Sequence, residues 1–310
     1  MDYVYILIGL VGLYFGGEGL VRGAVAIAER MGVSKLVIGL TIVGMGTSAP
    51  ELLVSMKAAL SGSSDIALGN VVGSNTANIL LILGLSAVVY PIANWDRNVR
   101  RDVVVAIGAA ILVMYFVQGP VIGRFAGLVM LAAMAGYLWY VFQAEKNAVK
   151  PIPDEIEAAA SHMAPWLAVS YMVGGLALLI VGADYLVTGA VNIARNFGIS
   201  ETVIGLTIVA VGTSLPELAT SLTAALKRQS DVALGNVVGS NIFNILGILG
   251  ITALAKPVGV AAEMASFDVP VMVVTTLALA ALLFARNSIT KQMGCVMVAL
   301  YAAYTLWLFM

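Results

Sequence analysis

The chain has 310 residues, of which 61% are hydrophobic and only 11% are charged. Soluble domains carry about 25% charged residues, so this composition leaves no room for a soluble catalytic domain. The single cysteine, Cys295, and the single histidine, His162, exclude a disulfide framework, a thiolate metal cluster and a histidine-based zinc site. We therefore expect a protein that is not an enzyme, with the lipid bilayer as its surroundings, no cofactor and no nucleic-acid partner.

Apolar runs long enough to cross a bilayer follow one another along nearly the whole chain. The run that follows Met1 and Asp2 lacks a basic leader, so we predict a retained span and not a signal peptide. We predict an all-α polytopic membrane protein with ten transmembrane helices, at about residues 3–21, 36–60, 66–91, 103–118, 124–143, 165–190, 202–226, 232–253, 268–285 and 292–309.

The longest polar stretch, residues 144–164, is predicted to link two halves, residues 1–143 and 165–310. Ten spans place both termini on one side of the membrane. Twelve of the sixteen basic residues fall in loops on the side of this linker. Because positively charged loops face the cytosol, we predict a cytosolic linker and two external termini, in the plasma or inner membrane of the cell.

The two halves repeat each other. Residues 16–84 and 182–250 align without a gap at an offset of 166, and they contain the motif regions 36–84 and 202–250. Gly44-Met-Gly-Thr-Ser-Ala-Pro-Glu51 returns as Ala210-Val-Gly-Thr-Ser-Leu-Pro-Glu217, and Gly-Asn-Val-Val-Gly-Ser-Asn occurs in both halves. Each half has five predicted spans. Since five is odd, the halves enter the membrane in opposite directions, which predicts an inverted-topology repeat.

A proline and a carboxylate inside a membrane-length apolar segment are both costly, and each half carries both. Pro50 lacks an N–H group, so it breaks its helix and frees carbonyl oxygens. We predict that the broken helices 2 and 7 pack against helices 3 and 8, which brings hydroxyl, amide and carboxylate oxygens together near the bilayer midplane. An all-oxygen surface favours hard cations such as Ca²⁺ and argues against zinc or copper.

The paired Gly-Thr-Ser-x-Pro-Glu and Gly-Asn-Val-Val-Gly-Ser-Asn motifs resemble the two alpha-repeats of the sodium/calcium exchanger family, in its short prokaryotic form. The resemblance implies a Ca²⁺ site made by Glu51, Glu217, Thr47 and Thr213. It implies Na⁺ sites that use the same glutamates together with Ser48, Ser214, Ser74, Ser240, Asn78, Asn244 and the backbone at Gly44 and Ala210. It also implies alternating access in a monomer, with about three Na⁺ exchanged for one Ca²⁺.

Several alternatives stay open at the level of the sequence. Proton/Ca²⁺ exchange could use the same glutamates, and potassium-dependent relatives place an aspartate where this chain has Asn244. A passive cation channel and an intramembrane hydrolase are further classes. For Glu18 and Asp184 we expect interfacial anchoring or pairing with Arg22, although a role in gating is possible. For Asn70 and Asn236 we expect hydrogen bonds across helices.

Overall fold

A computed structural model describes residues 1–31, 43–62, 64–93, 97–148, 163–197, 210–286 and 288–308. The first residues of two predicted spans, 36–60 and 202–226, lie outside this described part, as does most of the predicted linker.

The described chain is almost entirely helical. The first half contains α1 (Asp2–Met31), α2 (Gly44–Thr47), α3 (Ala49–Ser61), α4 (Ser64–Val89), α5 (Arg97–Phe116) and α6 (Arg124–Ala148). The second half contains α7 (Pro165–Asn196), α8 (Ala210–Thr213), α9 (Leu215–Leu226), α10 (Ser230–Ala255), α11 (Met264–Ala285) and α12 (Lys291–Trp307). Within these residues, six helices are long and apolar enough to cross a membrane, namely α1, α4, α6, α7, α10 and α11. The prediction of a helical membrane protein is therefore confirmed.

Several helices extend beyond the predicted spans. α1 continues to Met31 instead of ending near residue 21, and α6 continues into the first residues of the predicted linker. Two charged residues near the predicted end of α1 have partners elsewhere in the fold. Glu18 forms an ion pair with Lys227, and the guanidinium of Arg22 lies over the ring of Tyr171. Glu18 is therefore paired with Lys227 and not with Arg22, while the alternative of interfacial anchoring for Glu18 and Asp184 stays a prediction.

Both predicted helix breaks are present. The backbone of Ser48 leaves the helical region (φ −81°, ψ 9°) between α2 and α3, and Ser214 does the same (φ −89°, ψ 7°) between α8 and α9. Pro50 and Pro216 occupy the first turn of the new helix, where a missing N–H costs nothing. Each break therefore creates a fresh helix N-terminus, and Glu51 and Glu217 lie in its first turn.

The long central helices α4 and α10 each contain a π-helical segment, Asn78–Leu83 in α4 and Phe243–Leu249 in α10. These segments occupy equivalent places in the repeat and start at or next to Asn78 and Asn244. The insertion of π-helical turns is frequent at functional sites. α4 and α10 are also the most buried of the long helices, so the other helices surround them.

Helices α1 and α7 pack against each other along glycines that recur every seven residues: Gly9, Gly16 and Gly23 in α1, and Gly175, Gly182 and Gly189 in α7. A Cβ atom on Gly182 would lie 3.0 Å from the carbonyl oxygen of Gly9, and one on Gly23 would lie 2.6 Å from that of Ala168. The start of α1 is therefore next to the end of α7. These two helices are equivalent in the repeat, and they run antiparallel.

Two short antiparallel ladders connect the halves. β1 (Ile92–Ala93) pairs with β4 (Ser288–Ile289), and β2 (Val121–Ile122) pairs with β3 (Val258–Gly259). Each ladder joins one strand of the first half to one strand of the second half. The ladders place the end of α4 beside the start of α12, and the end of α10 beside the start of α6.

Candidate cation-binding site

The site is built where the two broken helices meet. Glu51 in α3 and Glu217 in α9 are buried, with 1% and 0% of their surface exposed. Ser48 Oγ donates to Glu217 Oε1 over 2.8 Å, and Ser214 Oγ donates to Glu51 Oε1 over 3.0 Å. Each serine comes from the break in one half and each glutamate from the other half. The two motifs therefore form one crossed site and not two separate sites.

The second oxygen of each carboxylate takes no part in these bonds. Oε2 of Glu51 and Oε2 of Glu217 are buried and have no hydrogen-bond partner among the described residues. A buried charge without compensation is strongly unfavourable, at a cost of several kcal/mol per ion. Two uncompensated carboxylate oxygens at one place are the electrostatic pattern of a site that receives cations.

Asn236 holds the start of α9 in position. Its Nδ2 donates to the backbone carbonyl of Glu217 over 3.2 Å and to Ser221 Oγ over 2.8 Å, while its Oδ1 accepts from Thr47 Oγ1 over 3.2 Å. The first half has the same arrangement, in which Asn70 contacts Glu51 O (3.1 Å), Ser55 Oγ (2.8 Å) and Thr213 Oγ1 (3.4 Å). The expectation of bonds across helices for Asn70 and Asn236 is confirmed. These bonds also show α3 packed on α4 and α9 packed on α10.

The serines of the central helices face the same breaks. Ser240 Oγ donates to the carbonyl oxygen of Gly44 over 3.1 Å, and Ser214 Oγ lies 3.3 Å from Ser74 Oγ. The carbonyl of Gly44 also lies 3.4 Å from Thr47 Oγ1. This carbonyl also keeps a backbone bond from the N–H of Ser48 over 3.3 Å, so it accepts from the helix and from Ser240 at once. The equivalent residue in the second half, Ala210, is the first residue of α8.

Asn78 and Asn244 lie one turn further along α4 and α10, and each is 1% exposed. Asn78 Nδ2 donates to Asn241 Oδ1 over 3.0 Å, while Asn78 Oδ1 has no partner among the described residues. Neither amide atom of Asn244 has one. Sequence reasoning missed Asn241 and its equivalent Asn75, since they lie off the helical face that carries Ser74 and Asn78. A buried asparagine repeated in two apolar helices was the available signal.

The ligand set suits a hard cation. The described residues contain no group of three or more His, Cys, Asp or Glu side chains, so the two glutamates are joined by neutral oxygens. Ca²⁺ takes six to eight oxygens at about 2.3–2.6 Å from carboxylates, carbonyls and hydroxyls. Two carboxylates balance the charge of one divalent ion. The remaining hydroxyl and amide oxygens can complete its shell or bind monovalent ions.

Comparison with known proteins agrees with this chemistry. A family model described as "Sodium/calcium exchanger protein" matches residues 1–143 and 167–310. Among the relatives, the putative antiporter CaxA of Alkalimonas amylolytica is 40% identical over 99% of this chain and 98% of its own length. The sodium/calcium exchanger MaX1 of Methanosarcina acetivorans is 34% identical over 100% of this chain and 99% of its own. The solved structure of the sodium-calcium exchanger NCX_Mj, soaked with 2.5 mM Na⁺ and 0.1 mM Ca²⁺, superimposes with a TM-score of 0.85 at 33% identity, covering 97% of this chain and 96% of that one.

Proposed function

The chain belongs to the sodium/calcium exchanger protein family, and from this premise we propose that it exchanges Na⁺ for Ca²⁺ across a membrane by alternating access. The ions are its substrates. We propose that Glu51, Glu217, Thr47 and Thr213 bind Ca²⁺, and that the same glutamates bind Na⁺ together with Ser48, Ser214, Ser74, Ser240, Asn78, Asn244 and the backbone at Gly44 and Ala210.

The observation that carries this proposal is the crossed pair of serine–glutamate hydrogen bonds. Because each carboxylate is held by the opposite half, a single ion between them contacts both halves at once. A Ca²⁺ ion takes the free Oε2 atoms as ligands, and Na⁺ ions compete for the same oxygens. An empty site with two ionised carboxylates is energetically unfavourable while it is closed to water. One ion species must therefore replace the other, and this replacement couples the two fluxes.

The stoichiometry that we propose is the one that the resemblance to the exchanger family implies. Two glutamates contribute −2, so one bound Ca²⁺ gives a neutral site and three bound Na⁺ would give +1. We propose about three Na⁺ per Ca²⁺, so that each cycle moves net charge across the membrane. The four serines and the neutral amides around the glutamates supply the additional oxygens that several monovalent ions require.

The architecture we propose is ten spans in two inverted five-helix repeats. The antiparallel packing of α1 on α7 supports this, because the two helices are equivalent in sequence. The two ladders between halves support it as well, since each joins loops that the ten-span topology places on one side. Following the basic residues, we place both termini outside and residues 144–164 in the cytosol, in the plasma or inner membrane. Both halves of the site come from one chain, so the functional unit is a monomer.

Competition binding tests the shared site. Binding of radioactive Ca²⁺ to the purified protein is measured at fixed pH while Na⁺, K⁺ or choline is titrated. We expect Na⁺ to displace Ca²⁺ with a Hill coefficient above one, and K⁺ and choline to have little effect. Glu51→Gln and Glu217→Gln should each weaken Ca²⁺ binding at least about 100-fold, equivalent to roughly 2.7 kcal/mol, because each removes one of only two charges. The exposed Asp65, changed to Asn, is the matched control.

Other results of this binding experiment would change the assigned ligands or the assigned coupling ion. Unchanged Ca²⁺ affinity in either glutamine variant would reject the glutamates as ligands. Displacement by acid but not by Na⁺ would make the proton the coupling ion, and a requirement for K⁺ would indicate a potassium-dependent exchanger.

A further inference from the structure

A chain of three asparagines connects the two central helices beside the site. Asn241 on α10 is 4% exposed, and its two amide atoms have different partners. Its Nδ2 donates to the backbone carbonyl oxygen of Asn75 on α4 over 3.3 Å. Its Oδ1 accepts from Asn78 Nδ2, also on α4, over 3.0 Å. The Asn241 side chain of the second half therefore contacts two residues of the first half, namely the backbone of Asn75 and the side-chain amide of Asn78.

The direction of this chain is fixed by chemistry. A backbone carbonyl can only accept a hydrogen bond, so the NH₂ group of Asn241 must face Asn75. The oxygen of Asn241 then faces Asn78, which requires the NH₂ group of Asn78 to face Asn241. The oxygen of Asn78 is thereby left as the free end of its amide, and this atom is buried without a partner among the described residues.

We propose that Asn241 is a positioning residue that orients the Asn78 amide so that its oxygen is available as a cation ligand. The inference rests on the proposed function, in which Asn78 belongs to the ion-binding set. Without Asn241, the Asn78 amide could rotate and present NH₂ groups, which repel a cation. The contribution of Asn241 is thus to hold a neutral ligand in the orientation that binding needs, before an ion arrives.

The repeat provides an internal comparison, because the equivalent bond is not formed in the other direction. Asn75 is the counterpart of Asn241, yet its Nδ2 donates to the carbonyl of Val71 in its own helix over 2.6 Å. Asn75 Oδ1 and both amide atoms of Asn244 have no partner among the described residues. Asn78 is therefore oriented across the interface of the halves, whereas Asn244 is not. The two amides of the site are unequal although their sequences match.

A double-mutant cycle tests this assignment. Ca²⁺ affinity of the purified protein and the KM and kcat of Ca²⁺ uptake in proteoliposomes are measured for Asn241→Ala, Asn78→Ala, the double variant and Asn75→Ala. We expect Asn241→Ala and Asn78→Ala each to weaken Ca²⁺ binding and raise KM about tenfold, the effect of losing one oriented ligand, with kcat changed less. The double variant should be no more than about twofold worse than Asn78→Ala, since both changes act through one amide. Asn75→Ala should stay within about twofold of the unmodified protein.

Additive effects in the double variant would overturn the proposal, because Asn241 would then act independently of Asn78. Unchanged affinity in Asn241→Ala, or an equally large effect of Asn75→Ala, would overturn it as well. If Asn241→Ala does not fold, the near-isosteric Asn241→Leu replaces it in the cycle. Failure of Na⁺-dependent uptake in the unmodified protein would count against the proposed function. The Ca²⁺ binding data would still decide whether Asn241 orients Asn78.

Discussion

Each glutamate of the site uses one carboxylate oxygen to hold the opposite half and keeps the other oxygen free. The bonds from Ser48 and Ser214 fix the orientation of the two carboxylates, so the proposed binding of an ion needs little reorganisation. Asn70 and Asn236 fix the backbone beneath them. The carboxylates of the site are therefore held on helix N-termini, and rigid helices keep ligand geometry more precise than loops do.

Residue-level reasoning from the sequence was productive where a residue type is costly. Glu51 and Glu217 are conspicuous in the sequence because a carboxylate in an apolar span is costly, and the structure brings both to the place where the two breaks meet. The sequence did not reveal that Ser48 bonds to Glu217 and not to Glu51, because that contact depends on how the halves cross. The contact of Asn241 with Asn78 could not be predicted for a related reason. The two residues lie 163 positions apart, and helical periodicity carries no information about such contacts.

At the scale of helices, the glycine-lined contact of α1 and α7 brings two backbones together. Small residues allow such approach, which gains van der Waals contact in the absence of a hydrophobic driving force between helices. The breaks at Pro50 and Pro216 were predictable from the missing N–H. The π-helical segments of α4 and α10 were not, because one extra residue in a turn leaves no compositional trace in an apolar sequence.

Two adjacent glycines of α7 test the helix contact. A Cβ atom on Gly175 would lie 2.7 Å from the carbonyl oxygen of Gly16, whereas one on Gly174 meets nothing within 4 Å. Gly175→Ala should destabilise the fold by roughly 1–3 kcal/mol, because the backbones must separate. Gly174→Ala should be neutral or slightly stabilising, since alanine favours helix. Thermal unfolding of the purified proteins measures both; an equal Tm for the two variants would show that α1 and α7 do not need this close contact.

For the molecule as a whole, the equivalent residues Asp65 and Asp231 test the inverted repeat. Both are exposed at the start of equivalent helices, α4 and α10. With Cys295 changed to Ser, cysteines introduced as Asp65→Cys and Asp231→Cys are labelled in intact cells with a membrane-impermeant maleimide. We expect label on position 65 without permeabilisation and on position 231 only after it, because equivalent loops of inverted repeats lie on opposite sides. Labelling of both from the same side would refute the inversion.

For the whole molecule, the sequence correctly predicts a helical membrane protein. The inverted topology, inferred from the offset of 166 and the odd number of predicted spans per half, stays a prediction. Where each helix ends was less accessible. α1 runs past its predicted end, and its charged residues Glu18 and Arg22 have the partners Lys227 and Tyr171, which lie far away in the chain.

Ca²⁺ uptake into proteoliposomes tests the central claim most directly. Vesicles that contain the protein are loaded with Na⁺, K⁺ or choline at matched internal and external pH, and uptake of external Ca²⁺ is followed. The account predicts uptake only from Na⁺-loaded vesicles, since outward Na⁺ movement drives inward Ca²⁺ movement through the shared glutamates. Uptake that is independent of internal Na⁺, whether it follows an imposed pH gradient or needs no counter-ion at all, would contradict it.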